Sequence, residues 1–224
     1  MTARMLALLM ALLSLGQGAL NRYADEMSLG GNLFLVNRTY AVGRDYVPRD
    51  LVEPKVQGGG EGTMMRKEAA EALEEMFAAA REEAGETLIA VSGYRSWGRQ
   101  AAIHENKVKA VGKKAALRFS APPGCSEHQL GLAMDLGCKG HTELTASFGT
   151  TKAGVWVREN CWRFGFIIRY KAEWEPITGY TDEPWHIRYV GREHAKRIYE
   201  MDLPLEYYIA ALREAQLTAL SERE

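Results

Sequence analysis

The chain has 224 residues and a mass of 25.0 kDa; 46% of its residues are hydrophobic and its formal net charge is −1. That length holds one catalytic domain with a short leader, and the apolar content supports a real core. The near-neutral balance gives no sign of nucleic acid or an anionic membrane surface as a partner, and no nucleic-acid partner is expected; no internal repeat or low-complexity tract interrupts the sequence.

In chain order, Arg4 precedes an apolar run from Met5 to Leu15, broken only by Ser14 and followed by Gly16, Gly18 and Ala19. This reads as a secretory signal peptide over residues 1–19, cleaved near Gly18 or Ala19, and so as an exported chain. The run is too short to span a bilayer comfortably, so membrane contact is expected only through an uncleaved leader. The alternative is an N-terminal helix packed on the domain. A lead-in over residues 20–63 follows, then a catalytic domain over 64–203 and a C-terminal helix over 204–224. Leu73, Met76, Phe77 and Ala80 recur at helical spacing within Arg66–Glu83. Leu88–Ser92 reads as a buried strand, and a second helix runs from Ser96 or Trp97 to Val111 with Ser96 as its N-cap. Pro122 and Pro123 mark a loop. Leu132, Met134 and Leu136 alternate with Ala133 and Asp135, which suits a short strand. Trp156–Phe164 suits a helix that Gly165 ends. Phe166–Ile168 and Ile187–Val190 read as strands, Glu193–Tyr199 as a short helix, and Leu205, Tyr208, Ile209 and Leu212 give a last amphipathic helix. Early helices with strands clustered later predict a single α+β domain: a central antiparallel sheet, helices packed on one side, and the site on the open side. The three cysteines make no disulfide framework. Cys125 and Cys138 flank one motif and are placed to pair across it, whereas Cys161 reads as a buried thiol.

Two segments carry the chemistry: Ser126-Glu127-His128-Gln129-Leu130-Gly131-Leu132-Ala133-Met134-Asp135 and Glu183-Pro184-Trp185-His186. They supply two histidines, an aspartate and a further glutamate. A catalytic zinc site needs three such protein ligands, a fourth position for water, and a free carboxylate to move the water's protons. His128 and Asp135 are too far apart to share an ion on one helix. His128 is therefore expected on a turn and Asp135 on the strand after it, with His186 arriving from a distant strand. Glu183 would face away from His186 on a straight strand, but Pro184 delays the strand and lets Glu183 bend back as the general base. Arg95, at the end of the Leu88–Ser92 strand, is placed to hold a substrate carboxylate or an oxyanion. His104, His141 and His194 read as surface or hydrogen-bonded residues, and Glu127 as solvent-facing.

The pattern Ser-x-His-x-x-Gly-x-Ala-x-Asp followed by Glu-x-Trp-His resembles the VanY-type D-alanyl-D-alanine carboxypeptidases, a zinc peptidase family that also holds VanX-like D,D-dipeptidases and L-alanyl-D-glutamate endopeptidases. The resemblance runs from about Asn32 to Gly191. It implies Zn2+ on His128, Asp135 and His186, and Glu183 as base and acid. It implies Arg95 on the scissile carbonyl or the terminal carboxylate, Ser126 and Gln100 holding the C-terminal residue, and Tyr94 and Trp185 lining the cleft. The implied substrate is a peptidoglycan stem peptide or precursor ending in D-Ala-D-Ala. The chain is expected to be a monomer. A D,D-dipeptidase, L,D-carboxypeptidase or endopeptidase of the same chemistry is the near alternative. A non-catalytic metal-binding protein of hedgehog-like fold is the distant one, and the presence of Glu183 favours the enzyme.

Overall fold

A computed structural model describes residues 3–221. The elements in chain order are α1 (Ala3–Leu13), α2 (Gln17–Glu26), β1 (Leu51–Val52), β2 (Met65–Arg66), α3 (Lys67–Ala84), β3 (Leu88–Ser92), α4 (Trp97–Val111), α5 (Lys113–Ala116), β4 (Ala133–Cys138), α6 (Lys152–Asn160), β5 (Phe166–Ile168), α7 (Glu175–Thr178), β6 (His186–Tyr189), α8 (Arg192–Met201) and α9 (Leu205–Ser221). β1 and β2 form a small antiparallel ribbon. The main sheet has the order β3-β4-β6-β5, with every pairing antiparallel, so the expected α+β fold is what the chain adopts.

β4 is the sheet's organising strand. Met134 and Leu136 point into the main core with Leu73, Met76 and Phe77 of α3 and Trp156 and Val157 of α6. Side chains alternate across a strand, so Asp135 faces the other way, where the cleft opens. The register places Asp135 directly opposite His186 on β6 and Ser92 on β3. One row across the sheet thus collects residues from three distant parts of the sequence.

A second core gathers α1, α2, α8 and α9 around Ile167 and Val190. Leu8, Leu12, Leu20 and Tyr23 are buried there against Tyr208, Ile209 and Leu212. The apolar N-terminal run forms α1, which packs on the C-terminal helix α9. No described helix is long and apolar enough to cross a membrane. The lead-in joins the two cores: Leu33 and Leu35 enter the second, Val36 and Val42 the first.

The local differences from expectation have local causes. The Thr151 side chain accepts from Gly154 N–H, which starts α6 before Trp156. The stretch to Phe164 then tightens into a 3-10 turn that Gly165 ends at φ +86°. Cys125 and Cys138 do not pair: both are free thiols, and Cys138 Sγ lies 3.8 Å from Thr151 Oγ1. Cys161 is buried as expected, and burial pushes its thiol up to about 12.

Gly131 closes the turn between His128 and β4 at φ +66°, and a Cβ there would stand 2.8 Å from Leu51 Cδ2. Leu51 can yield, but left-handed backbone costs an L-residue about 1–2 kcal/mol. Gly131→Ala is expected to lower the thermal midpoint by roughly 2–8 °C, as checked by circular dichroism.

Candidate metal centre and cleft

The centre is built where β3, the turn before β4, and β6 meet. Gly93 follows β3 so closely packed that a Cβ would fall 2.5 Å from Met64 O. Its carbonyl accepts a 2.7 Å hydrogen bond from His128 Nδ1–H. That bond fixes the imidazole tautomer and leaves Nε2 as a lone pair. His128 Nε2 is buried without a hydrogen-bond partner and lies 3.3 Å from Asp135 Oδ2. On the far side, His186 Nδ1 lies 3.0 Å from Asp135 Oδ1. The two rings meet edge to face, with centroids 4.9 Å apart. One donor atom from each of His128, Asp135 and His186 falls within 4.8 Å of the others, and all three residues are buried.

This donor set fits a divalent cation of zinc type: two imidazoles and one carboxylate, with an orphaned buried nitrogen aimed between them. The electrostatics agree. Burial, helped by the Arg95 charge, takes His128 down to about 4, so it is neutral and ready to ligate. Burial would raise Asp135, but the adjoining His128 and His186 hold it well below the usual carboxylate range. Burial also opposes charge on His186, yet its bonds to Asp135 and Glu127 lift it to about 9. A cation bound at the same point competes with that proton.

Glu183 does bend back. The N–H of His186 donates to Glu183 O at 3.0 Å, closing the turn that contains Pro184, and Glu183 Oε2 stands 4.0 Å from His186 Nδ1. Its carboxyl is largely buried, and burial pushes it up to about 7. A group at that value accepts and returns a proton near neutrality.

Arg95 reaches the centre from the end of β3, its Nη2 3.4 Å from Asp135 Oδ2, and its Nε has no hydrogen-bond partner. Gln100 Oε1 accepts from Arg95 Nη1 at 3.1 Å, and Gln100 Nε2 donates to Ala121 O at 2.7 Å. Gln100 therefore lines the cleft with its amide already engaged, and it steadies Arg95. Ser96 caps α4 as expected. A cleft of about 270 Å³ runs over these groups; Ser126 and Trp185 line it, as do Arg95, Gln100, Glu183 and the three metal-type donors.

Tyr94 departs from expectation, because it is not among the residues that line this cleft. Arg95 turns toward the centre, so its neighbour turns away; Tyr94 N–H donates to Met64 O at 2.7 Å, and burial raises its hydroxyl above the usual tyrosine value. Tyr170 and Tyr180 line the cleft instead. The Tyr170 ring sits 5.0 Å from that of His186 and 4.8 Å from that of Tyr180.

Glu127 also differs. It is 1% exposed, not solvent-facing. Arg169 Nε and Arg188 Nη1 each donate to its Oε1 at 2.8 Å, and its Oε2 faces His186 Nε2 at 3.5 Å. Burial opposes its charge, but the two guanidiniums hold it far below the usual carboxylate range. The available signal was Arg169 directly after the apolar run of β5 and Arg188 within that of β6, since buried cations need a buried carboxylate. His194 is buried and hydrogen-bonded to Tyr208 and Glu26, in keeping with a structural role.

Known proteins show the same architecture. A solved LD-carboxypeptidase, LdcB, is 49% identical, with a TM-score of 0.73 over 78% of this chain and 84% of that one. The D,D-pentapeptidase VanY of a VanB-type resistance cassette, solved with Zn(II), is 37% identical, with a TM-score of 0.67 over 80% of this chain and 98% of that one. The Bacillus subtilis protein YodJ, which carries a provisional carboxypeptidase name, is 48% identical over 81% of this chain and 68% of its own length. The chain spans 63% of the length of the Enterococcus faecium D-alanyl-D-alanine carboxypeptidase, at 34% identity. Residues 62–192 match the family model described as VanY, D-alanyl-D-alanine carboxypeptidase. With its metal-type donors, Glu183 and Arg95 all inside that span, the chain belongs to the VanY D-alanyl-D-alanine carboxypeptidase family.

Proposed function

We propose that this chain is a zinc-dependent carboxypeptidase that releases the C-terminal D-alanine of peptidoglycan stem peptides. The observation that carries the reading is one buried set of two imidazoles and a carboxylate with Glu183 beside it, its carboxyl pushed up to about 7. His128, Asp135 and His186 would hold the metal, which when bound would supply a Lewis acid to the scissile carbonyl and lower the pKa of the attacking water toward neutrality. Glu183 takes the proton of the attacking water. It returns that proton to the departing amine as the C–N bond breaks, so that a shortened peptide carboxylate and free D-alanine result. Arg95 offers an unpartnered Nε–H in a buried setting, placed to hold the terminal carboxylate or the oxygen where charge develops. Tyr170, Tyr180 and Trp185 wall the cleft and exclude bulk water from it.

Two bonds meet this description. Cleavage between two D-alanines is supported by the family model and by the solved D,D-pentapeptidase. Cleavage after an L-centre is supported by the LD-carboxypeptidase, whose 49% identity exceeds the 37% of the D,D-pentapeptidase. The chemistry at the metal is the same for both, and the cleft walls choose between them. On either reading the chain works outside the cytoplasmic membrane, where mature stem peptides lie. The site is complete within one chain.

Three outcomes check this reading. Purified protein incubated with a pentapeptide ending in D-Ala-D-Ala, a tetrapeptide ending in D-alanine after an L-centre, and free D-Ala-D-Ala is expected to release D-alanine from at least one of the two peptides. Chelation should stop the release and zinc should restore it; no release from either peptide by zinc-loaded protein contradicts the proposal. Glu183→Gln should lose about 10²- to 10⁴-fold in kcat while keeping near-stoichiometric zinc by atomic absorption, and zinc loss in that variant would make Glu183 a ligand. Zinc binding to metal-free protein must displace the His186 proton, held up to about 9, but none from His128, already neutral above about 4. The logarithm of affinity, measured by chelator competition, should therefore rise by about one per unit between about pH 6 and pH 8. A flat profile would show that His186 is not displaced by the metal.

A further inference from the structure

The metal ligands do not stand alone. Glu127 belongs to neither the ligand set nor the proton transfer, yet it is the most enclosed carboxylate of the centre. Arg169 Nε and Arg188 Nη1 fix its Oε1, so its Oε2 is the oxygen left for His186 Nε2. A carboxylate is an acceptor only, so both ring nitrogens of metal-free His186 donate, Nδ1 to Asp135 and Nε2 to Glu127. Glu127 keeps the Nε2 proton in place, so the Nδ1 proton, on the side of Asp135 and His128, is the one a cation displaces. Metal-binding histidines commonly need such a partner on the second nitrogen to set tautomer and ring angle. His128 has the equivalent support from the Gly93 carbonyl.

The two arginines extend the support outward. Arg169 uses both remaining nitrogens on Glu206, at 3.0 and 2.6 Å, a two-pronged pair at the first turn of α9. Arg188 gives Nη2 to the carbonyls of Asn32 and Phe34 in the lead-in. The helical layer formed by α1, α2, α8 and α9 is thereby connected to the centre by polar bonds as well as by packing.

We propose that Glu127 is a positioning residue: clamped by Arg169 and Arg188, its carboxylate fixes His186 with Nδ1 toward the metal, and Arg169 transmits that constraint from Glu206 on α9. The inference rests on the metallopeptidase reading and adds a route by which the terminal helices set metal affinity.

Glu127→Gln gives a directional test. Its amide oxygen is drawn to the two guanidiniums, which puts the NH2 group against His186 Nε2. That contact favours the tautomer with the proton on Nδ1, the wrong one for ligation. Long-range 1H–15N spectra of the metal-free protein, titrated upward in pH until His186 is neutral, should show its remaining proton on Nε2 in the parent and shifted toward Nδ1 in the variant. Zinc affinity by chelator competition should fall about 10- to 100-fold. Glu206→Gln, altered on the partly exposed end of the chain of contacts, should keep the fold and weaken zinc by about 3- to 30-fold. A folded Glu127→Gln protein with an unchanged His186 tautomer and zinc affinity within twofold of the parent overturns the proposal. Should that variant not fold, Glu206→Gln decides: weaker zinc binding supports the link, and unchanged affinity overturns it. If the parent chain itself neither binds zinc nor releases D-alanine, the metallopeptidase reading fails, a result distinct from any difference between variants.

Discussion

The pairing of Asp135 with His186 across β4 and β6 is the constraint on which the rest depends. Strand alternation puts both on the face away from the main core, while Met134 and Ile187, one residue away on each strand, lock the same two strands into that core. A slip of one residue would bury Asp135 among Leu73 and Phe77 and expose the apolar set. The large cost of an unpaired buried carboxylate thus protects the register that the chemistry needs. The edge strand β3 then needs only to deliver the Gly93 carbonyl and Arg95 to this pair, and the bulge between Ala90 and Ser92 adjusts its end to do so.

Around that pair the charges are arranged in two tiers. Close to the metal position lie Asp135, Glu183 and the two imidazoles, with Arg95 as the counter-charge. Behind them lie Glu127, Arg169, Arg188 and Glu206. Removing one member of such a buried group typically costs about 3–5 kcal/mol, because the partner is left charged and dry. That expense is hard to explain as a stability device, since well-packed apolar residues would serve as well or better. It is understandable as the means of keeping a histidine in one orientation and tautomer beside a carboxylate whose own affinity for protons has been raised by burial.

Much of this was legible in the sequence. His128, Asp135, His186 and Glu183 come in short runs with acidic, glycine and proline neighbours, so their chemistry showed without any fold. β3, β5 and α4 were readable to within a residue because their apolar periodicity and caps are local. Glu127 and Tyr94 were misplaced for the opposite reason. Their surroundings are set by Arg169, just past β5, by Arg188 on β6 and by the direction Arg95 takes, and none of these is a local property. The apolar N-terminus shows the same limit: an apolar run of this length serves equally as a leader or as one face of a helix pair, and its packing against Tyr208, Ile209 and Leu212 is not a local property of the run.

The measurement that tests the central claim most directly is a crystal structure of the zinc-loaded protein with anomalous data at the zinc edge. The account predicts a single strong peak coordinated by His128 Nε2, an Asp135 oxygen and His186 Nδ1, with Glu183 near the metal but not bound to it. A peak elsewhere, coordination through His186 Nε2, or Glu183 as a ligand would contradict it.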